Sequence, residues 1–91
     1  MQEEEQLLSF GESADILLKD NHFNKVVDNL VQSTFQAFVN SKLEDAEGRE
    51  RTYAHYRALV DIVNTLRQQV SVRDEILAKR EADYDNSKED N

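Results

Sequence analysis

Apolar residues recur at helical spacing over the longest uninterrupted part of the chain, from Ala46 to about Ala82. Steps of three and four residues place them along one narrow face, the heptad-like pattern of a helix packed against another helix. No proline interrupts the stretch. The pattern predicts a single helix roughly 55 Å long at 1.5 Å per residue. The apolar positions are Tyr53, Tyr56, Leu59, Val63, Leu66, Val70 and Leu77.

A second amphipathic pattern precedes the long helix. One face is apolar from His22 to Leu43 while the opposite face is polar, which is typical of a helix with one buried side. Ser13 is a suitable N-cap, so we expect a first helix over residues 13–42, with a possible kink at 20–22 where Asp and Asn compete for the backbone. Its apolar face consists of Phe23, Val27, Leu30, Val31, Phe35, Phe38 and Val39.

A short acidic turn joins the two helices, and Asp45 is the expected N-cap of the second. Because the turn is short, the helices must be antiparallel neighbours, which brings Val27 to the level of Val63. The predicted fold class is all-α, an antiparallel helical hairpin with one long C-terminal helix, completed by oligomerisation or by a partner. The predicted hairpin core consists of Phe23, Val27, Leu30, Phe35, Phe38, Tyr56, Leu59, Val63 and Leu66.

The two ends of the chain differ from the predicted hairpin domain, residues 13–82. Residues 1–12 form an acidic N-terminal arm, either a frayed terminus or a docking peptide that orders on a partner. Residues 83–91 read as an acidic tail, disordered or bound to a partner. Apolar residues of the arm and of the long helix outside its main face are candidates for an interaction surface. They are Leu7, Leu8, Phe10 and Ile62.

Composition limits the class of protein. The 91 residues suffice for one small domain, and the absence of cysteine excludes disulfides and thiolate metal sites. The net charge is −8, and the acids are concentrated in residues 1–20 and 81–91. No apolar run approaches the ~20 residues that span a bilayer, and the glutamates after Met1 are the opposite of a positively charged signal peptide. We expect a soluble protein that is neither secreted nor transmembrane.

The residues that carry enzyme chemistry are sparse. No cysteine nucleophile exists, no nucleophile-turn motif surrounds a serine, and His22 and His55 lack metal-ligand spacing. Gly11 and Gly48 are isolated, which does not fit a phosphate-binding loop. The basic residues of the long helix scatter around it and form no stripe, so nucleic-acid binding is not favoured. The sequence predicts no enzyme, no cofactor, no metal site and no catalytic residue.

The middle of the chain resembles small helical-hairpin proteins encoded among the structural and assembly genes of tailed bacteriophages. The resemblance covers residues 22–80 and lies in Val26–Val31 (VVDNLV), Phe35–Phe38 (FQAF) and Asp45–Tyr53 (DAEGRERTY). It implies a non-enzymatic accessory of virion structure or assembly, located in the host cytoplasm or the virion. The partner would be a second copy or another virion protein.

Two other functions remain open from the sequence. An acidic phage-encoded inhibitor that mimics DNA would suit the net charge of −8. A DNA-packaging recognition subunit would require a basic surface that forms only in an oligomer.

Overall fold

The computed structural model describes the backbone of residues 2–89 and the side chains of residues 2–87. Within residues 2–89 it contains three α-helices and no strand, and 92% of these residues are helical. The helices are α1 (Gln2–Lys19), α2 (Asn21–Val39) and α3 (Ala46–Glu89). The all-α fold class predicted from the apolar spacing is confirmed.

The other two helices pack against α3. Gly11 of α1 lies against Gln69 and Arg73 in the C-terminal half of α3. On α2, Val27 lines a cavity with Val63, which belongs to the N-terminal half of α3. The two helices α1 and α2 follow one another beside the long helix. The molecule is a rod of 72 × 25 × 21 Å.

Asp20 separates α1 from α2. Its backbone is extended (ψ 119°), and its carboxylate accepts the backbone N–H groups of His22 at 2.7 Å and Phe23 at 3.0 Å. Asp20 is therefore the N-cap of α2, where it satisfies donors that the start of a helix leaves unpaired. The expected helix over residues 13–42, with a possible kink at 20–22, is two separate helices.

The N-terminal residues are helical. The sequence predicted an arm over residues 1–12 and a helix beginning at Ser13, whereas α1 begins at Gln2. Three glutamates in the first turn are favourable to the helix dipole. Most of the stability of a helix in a protein comes from tertiary packing, so contact with α3 stabilises α1. Met1, the first residue of the predicted arm, lies outside the described residues.

Hydrogen bonds from the start of α3 hold the turn. Asp45 accepts the backbone N–H of Gly48 at 3.0 Å, which is the N-cap predicted from the sequence. The guanidinium of Arg49 donates to the backbone carbonyl oxygens of Lys42 and, at 3.1 Å, of Leu43. These carbonyls follow the end of α2, so Arg49 ties the connection to α3.

The long helix extends further than predicted. It runs to Glu89 instead of ending near Ala82, so residues 83–89 of the expected acidic tail are helical. No proline or glycine occurs beyond Ala82 to stop the helix. Residues 90–91 of that tail lie outside the described residues.

The single chain has almost no interior. Ala14, 1% exposed, is the one fully buried apolar side chain among the described residues. The nine residues predicted to form the hairpin core are not fully buried, because paired helices cover each other along one face only. Half-buried are Phe23, Val27, Leu59, Val63 and Leu66, and exposed are Leu30, Phe35, Phe38 and Tyr56.

Candidate interaction surfaces

Large apolar side chains are exposed at many positions along the rod. Within the described residues, fifteen of them are exposed. Scattered apolar residues are normal on a protein surface, but contiguous apolar patches mark sites of interaction. The exposed set is Leu7, Phe10, Ile16, Leu17, Val26, Leu30, Phe35, Phe38, Val39, Leu43, Tyr53, Tyr56, Ile62, Leu77 and Tyr84.

Four of these residues meet in one groove between α2 and α3, near the turn. The groove has a volume of about 320 Å³. Its two threonines use their hydroxyls within their own helices: Thr34 donates to the carbonyl of Val31 at 2.8 Å, and Thr52 donates to the carbonyl of Gly48 at 2.9 Å. An apolar occupant would therefore leave neither hydroxyl without a partner. We call this the aromatic groove, defined by Thr34, Phe35, Phe38, Thr52, Tyr53 and Tyr56.

The aromatic groove continues along the same side of the α2–α3 pair. A second cavity of about 240 Å³ is lined by Val31 of α2 and by Val60 and Val63 of α3, among others. Tyr53, Tyr56, Val60 and Val63 are spaced by three, four and three residues, so they lie along one face of α3. The two cavities therefore form one trough along the hairpin, apolar at the turn end. Its far end is more polar and includes Asp28, Asn64 and Arg67.

A second groove lies between α1 and α3. Leu7 and Phe10 of α1 and Val72 of α3 line a cavity of about 270 Å³, together with Thr65, Gln68 and Gln69. Amide side chains make up part of this wall, so the groove is less apolar than the aromatic groove. We call it the N-terminal groove.

Two arginines of α3 bind the acidic side of α1. Arg73 donates to Glu12 and Asp15, each at 3.1 Å, and its side chain is only 14% exposed. About two turns further along, Arg80 donates to Glu4 and Glu5, each at 2.8 Å. These charge-assisted bonds fix α1 antiparallel to α3, since the earlier carboxylates pair with the later arginine.

These pairs favour the charged forms of their members. The pKa of Asp15 lies below its ordinary value because Lys19 and Arg73 donate hydrogen bonds to its carboxylate. The pKa of Arg73 is raised by its hydrogen bonds to Asp74 and Asp15, and that of Arg80 by those to Glu5 and Glu4. Ionised carboxylates thus contribute to the attachment of α1 to α3.

The antiparallel arrangement gathers acidic residues at one end of the rod. The start of α1, with Glu3, Glu4 and Glu5, lies beside Arg80 and the C-terminal part of α3, which carries Glu81, Asp83 and Asp85. The aromatic groove lies toward the opposite end, next to the turn. The rod therefore carries this acidic cluster at one end and the aromatic groove toward the other.

The predicted interaction residues are only partly brought together. Leu7 and Phe10 share the N-terminal groove, and both are exposed. Leu8 is half-buried. Ile62 is exposed and lies one helical turn before Thr65, which lines the same groove. The aromatic groove instead contains Phe35, Phe38 and Tyr56, which the sequence assigned to the core.

Sequence reasoning missed Arg49, Arg73 and Arg80 as positioning residues. Arg73 interrupts the apolar seam of α3, and the antiparallel register carries it to the level of Ile16, one residue from Asp15. An arginine in a seam opposite an acidic residue signals an ion pair, so the first of these contacts could have been found. The hydrogen bonds from Arg49 to backbone carbonyls could not be predicted from the spacing of residues in the sequence.

Comparison of the chain with protein-family models, with curated proteins and with solved structures found no match. Among the described residues, no group of three or more His, Cys, Asp or Glu side chains could hold a metal ion. In the same part of the chain, no helix combines the length and apolar character needed to cross a membrane.

Proposed function

We propose that this chain is a non-enzymatic protein–protein interaction module that serves as an accessory in the structure or assembly of a tailed-bacteriophage virion. The observation that carries the interaction role is the imbalance between its single fully buried apolar side chain and its fifteen exposed ones within the described residues. A chain with so little interior gains most by burying its outer surface against another protein.

The assignment to virion assembly has separate support. It rests on the resemblance of residues 22–80 to the hairpin proteins of phage assembly gene clusters, carried by VVDNLV, FQAF and DAEGRERTY. An extended rod 72 Å long can contact more than one neighbour along its length, which suits a structural accessory. The expected partners are a second copy of the chain or another virion protein.

The alternative with some support is an acidic inhibitor that mimics DNA. The carboxylates gathered at one end of the rod favour it, whereas the pairing of Glu4 and Glu5 with Arg80 and of Asp15 with Arg73 reduces the charge they present. Binding through carboxylates weakens steeply as salt rises, while a contact between apolar faces does not. Affinity for a partner measured at low and at moderate ionic strength separates the two functions.

The assembly role is tested in the phage that encodes the chain. We expect mass spectrometry to detect the protein in purified particles or in assembly precursors, and deletion of its gene to lower the yield of complete particles. Absence from both kinds of particle, together with a normal yield after deletion, would contradict the role. The binding partner would then have to be sought among host proteins.

A further inference from the structure

The chain exposes more surface than a compact protein of its size. Its accessible surface is 7538 Å², whereas a folded monomer of this mass exposes about 5,500 Å². Its radius of gyration is 19.8 Å, against about 12 Å for a compact domain of this length. The excess of about 2,000 Å² exceeds the roughly 800 Å² that each partner contributes to a stable interface. A second copy can therefore be accommodated on one side of the rod.

We propose that the aromatic groove is the docking site for a second copy of this chain, groove against groove, so that two hairpins form an antiparallel four-helix bundle. The inference deepens the proposed function and rests on it, because it names the first partner of the interaction module. Both walls of the trough that contains the aromatic groove carry apolar residues at steps of three and four: Val31, Phe35 and Phe38 on α2, and Tyr53, Tyr56 and Val60 on α3. This spacing is what helix-to-helix packing in a bundle requires.

The chemistry of the groove fits an identical surface. A two-fold interface brings the same patch of both chains together, so the patch must tolerate itself. The aromatic groove contains no charged side chain, and its threonine hydroxyls donate within their own helices. Two such grooves can meet without bringing charged side chains of the groove together, and neither threonine hydroxyl is left without a partner. The exposed aromatic rings are also the kind of group that supplies binding energy at interfaces.

Charge determines the orientation of the two rods. Each chain carries a net charge of −8 and has its acidic end away from the aromatic groove. Parallel rods would place the two acidic ends side by side, whereas a two-fold axis through the groove, perpendicular to the rods, sends them in opposite directions. Like charges repel less in the second arrangement, so the bundle is antiparallel between copies as well as within each.

Two phenylalanines of similar exposure provide a matched test by sedimentation equilibrium on the full chain. Phe35, 55% exposed, lies in the aromatic groove, and Phe10, 50% exposed, lies in the N-terminal groove. We expect the wild type to dimerise, Phe35→Asp to raise the dissociation constant at least about 30-fold, and Phe10→Asp to leave it within about threefold. Tyr53→Asp, on the other wall of the groove, should raise the dissociation constant as much as Phe35→Asp. It replaces Phe35→Asp as the test variant if Phe35→Asp loses its helical circular dichroism.

The orientation is tested with one spin label per chain. The sequence has no cysteine, and Ser9 is exposed and lies between the levels of Arg73 and Arg80, about 30 Å along the rod from Tyr56. For labelled Ser9→Cys, electron–electron resonance should give a distance above about 45 Å for the proposed dimer, against less than about 25 Å for parallel rods.

Several outcomes would overturn the second-copy inference. They are a chain that is monomeric up to high concentration, a dimer that Phe10→Asp dissociates while Phe35→Asp does not, and a short distance between labels on Ser9→Cys. A monomeric chain found in phage particles would leave the assembly role intact with a different partner in the groove. A dimer that is absent from particles would support the docking site and contradict the assembly role.

Discussion

At the scale of single residues, Gly11 sets how closely α1 approaches α3. A Cβ at this position would come within 2.7 Å of the backbone oxygen of Gln69 and would also meet the side chain of Arg73. Backbone cannot move aside as a flexible side-chain end can, so α1 must shift outward to accept a methyl group. Glycine inside a helix costs about 1 kcal/mol relative to alanine. Its presence here is explained by this close contact.

Gly11→Ala should therefore destabilise the protein. Overpacking costs typically 1–3 kcal/mol, which outweighs the gain of about 1 kcal/mol in helix propensity and leaves a net loss of up to about 2 kcal/mol. Urea unfolding followed by circular dichroism measures the change. Ser9→Ala is the control, since Ser9 is an exposed position of the same helix and should change stability by less than about 0.5 kcal/mol. Equal or greater stability of Gly11→Ala would contradict the close packing.

Asp15 makes the attachment of α1 dependent on pH. Its pKa is lower in the folded protein because Lys19 and Arg73 donate to the ionised carboxylate. A lowered pKa contributes stability at pH values above the unfolded value of about 3.9, and this stability is lost as the pH falls through the folded value. We expect α1 to loosen in acid below about pH 4, seen as faster amide exchange in α1 relative to α2.

Asp15→Asn supplies the comparison for this pH dependence. The amide cannot ionise, so the difference in stability between wild type and variant should be largest near neutral pH and should shrink as the pH approaches 3. Stability measured by urea unfolding at several pH values gives this difference directly. A difference that stays constant over the range would show that ionised Asp15 does not hold α1.

At the scale of helices, α1 is the element that ion pairs fix most clearly. Arg73, with a side chain 14% exposed, bonds to Glu12 and Asp15 across 58 to 61 residues of sequence, whereas Arg57 bonds to Asp61 within its own helix and is 50% exposed. Exposed pairs one turn apart contribute little, because solvent screens them and their side chains lose freedom. Arg73 and Arg57 therefore form a matched pair for mutation.

Arg73→Gln should detach α1 while Arg57→Gln leaves it in place. Removing the guanidinium of Arg73 leaves Glu12 and Asp15 without their shared partner, and we expect severalfold faster amide exchange in α1 with little change in α2. Arg57→Gln should alter stability by less than about 0.5 kcal/mol. Similar exchange rates in α1 for both variants would mean that apolar packing at Ala14 and Gly11 suffices.

The same elements mark the limit of prediction from the sequence. The seam of α3, its start at Ala46 and the cap at Asp45 followed from local rules of spacing and capping, and the structure has them. The helical state of residues 2–12 did not, because it depends on contacts with Arg73 and Arg80 far along the chain. The break at Asp20 was one of two local possibilities, and only the extended ψ of that residue distinguishes them.

For the candidate site, the sequence identified apolar residues correctly but could not tell buried from exposed. Phe35 and Phe38 have the spacing of a helix core, and yet they line an open groove because only α3 lies beside them. Periodicity reports which face of a helix is apolar and says nothing about how many helices cover that face. An incomplete bundle therefore has the same sequence pattern as one side of a complete bundle.

At the scale of the whole molecule, stability should depend on protein concentration. If two hairpins complete one bundle, folding is linked to association, and a 100-fold rise in concentration adds about 2.7 kcal/mol to the stability of the dimer. For a folded unit of two such chains this corresponds to a rise of about 5–10 °C in Tm. Thermal unfolding followed by circular dichroism at two concentrations 100-fold apart measures the shift. Phe10→Asp should keep the shift, and Phe35→Asp should reduce it because more of its chains unfold as monomers. A Tm of the wild type that is independent of concentration would mean that the rod is stable alone despite its exposed aromatic groove.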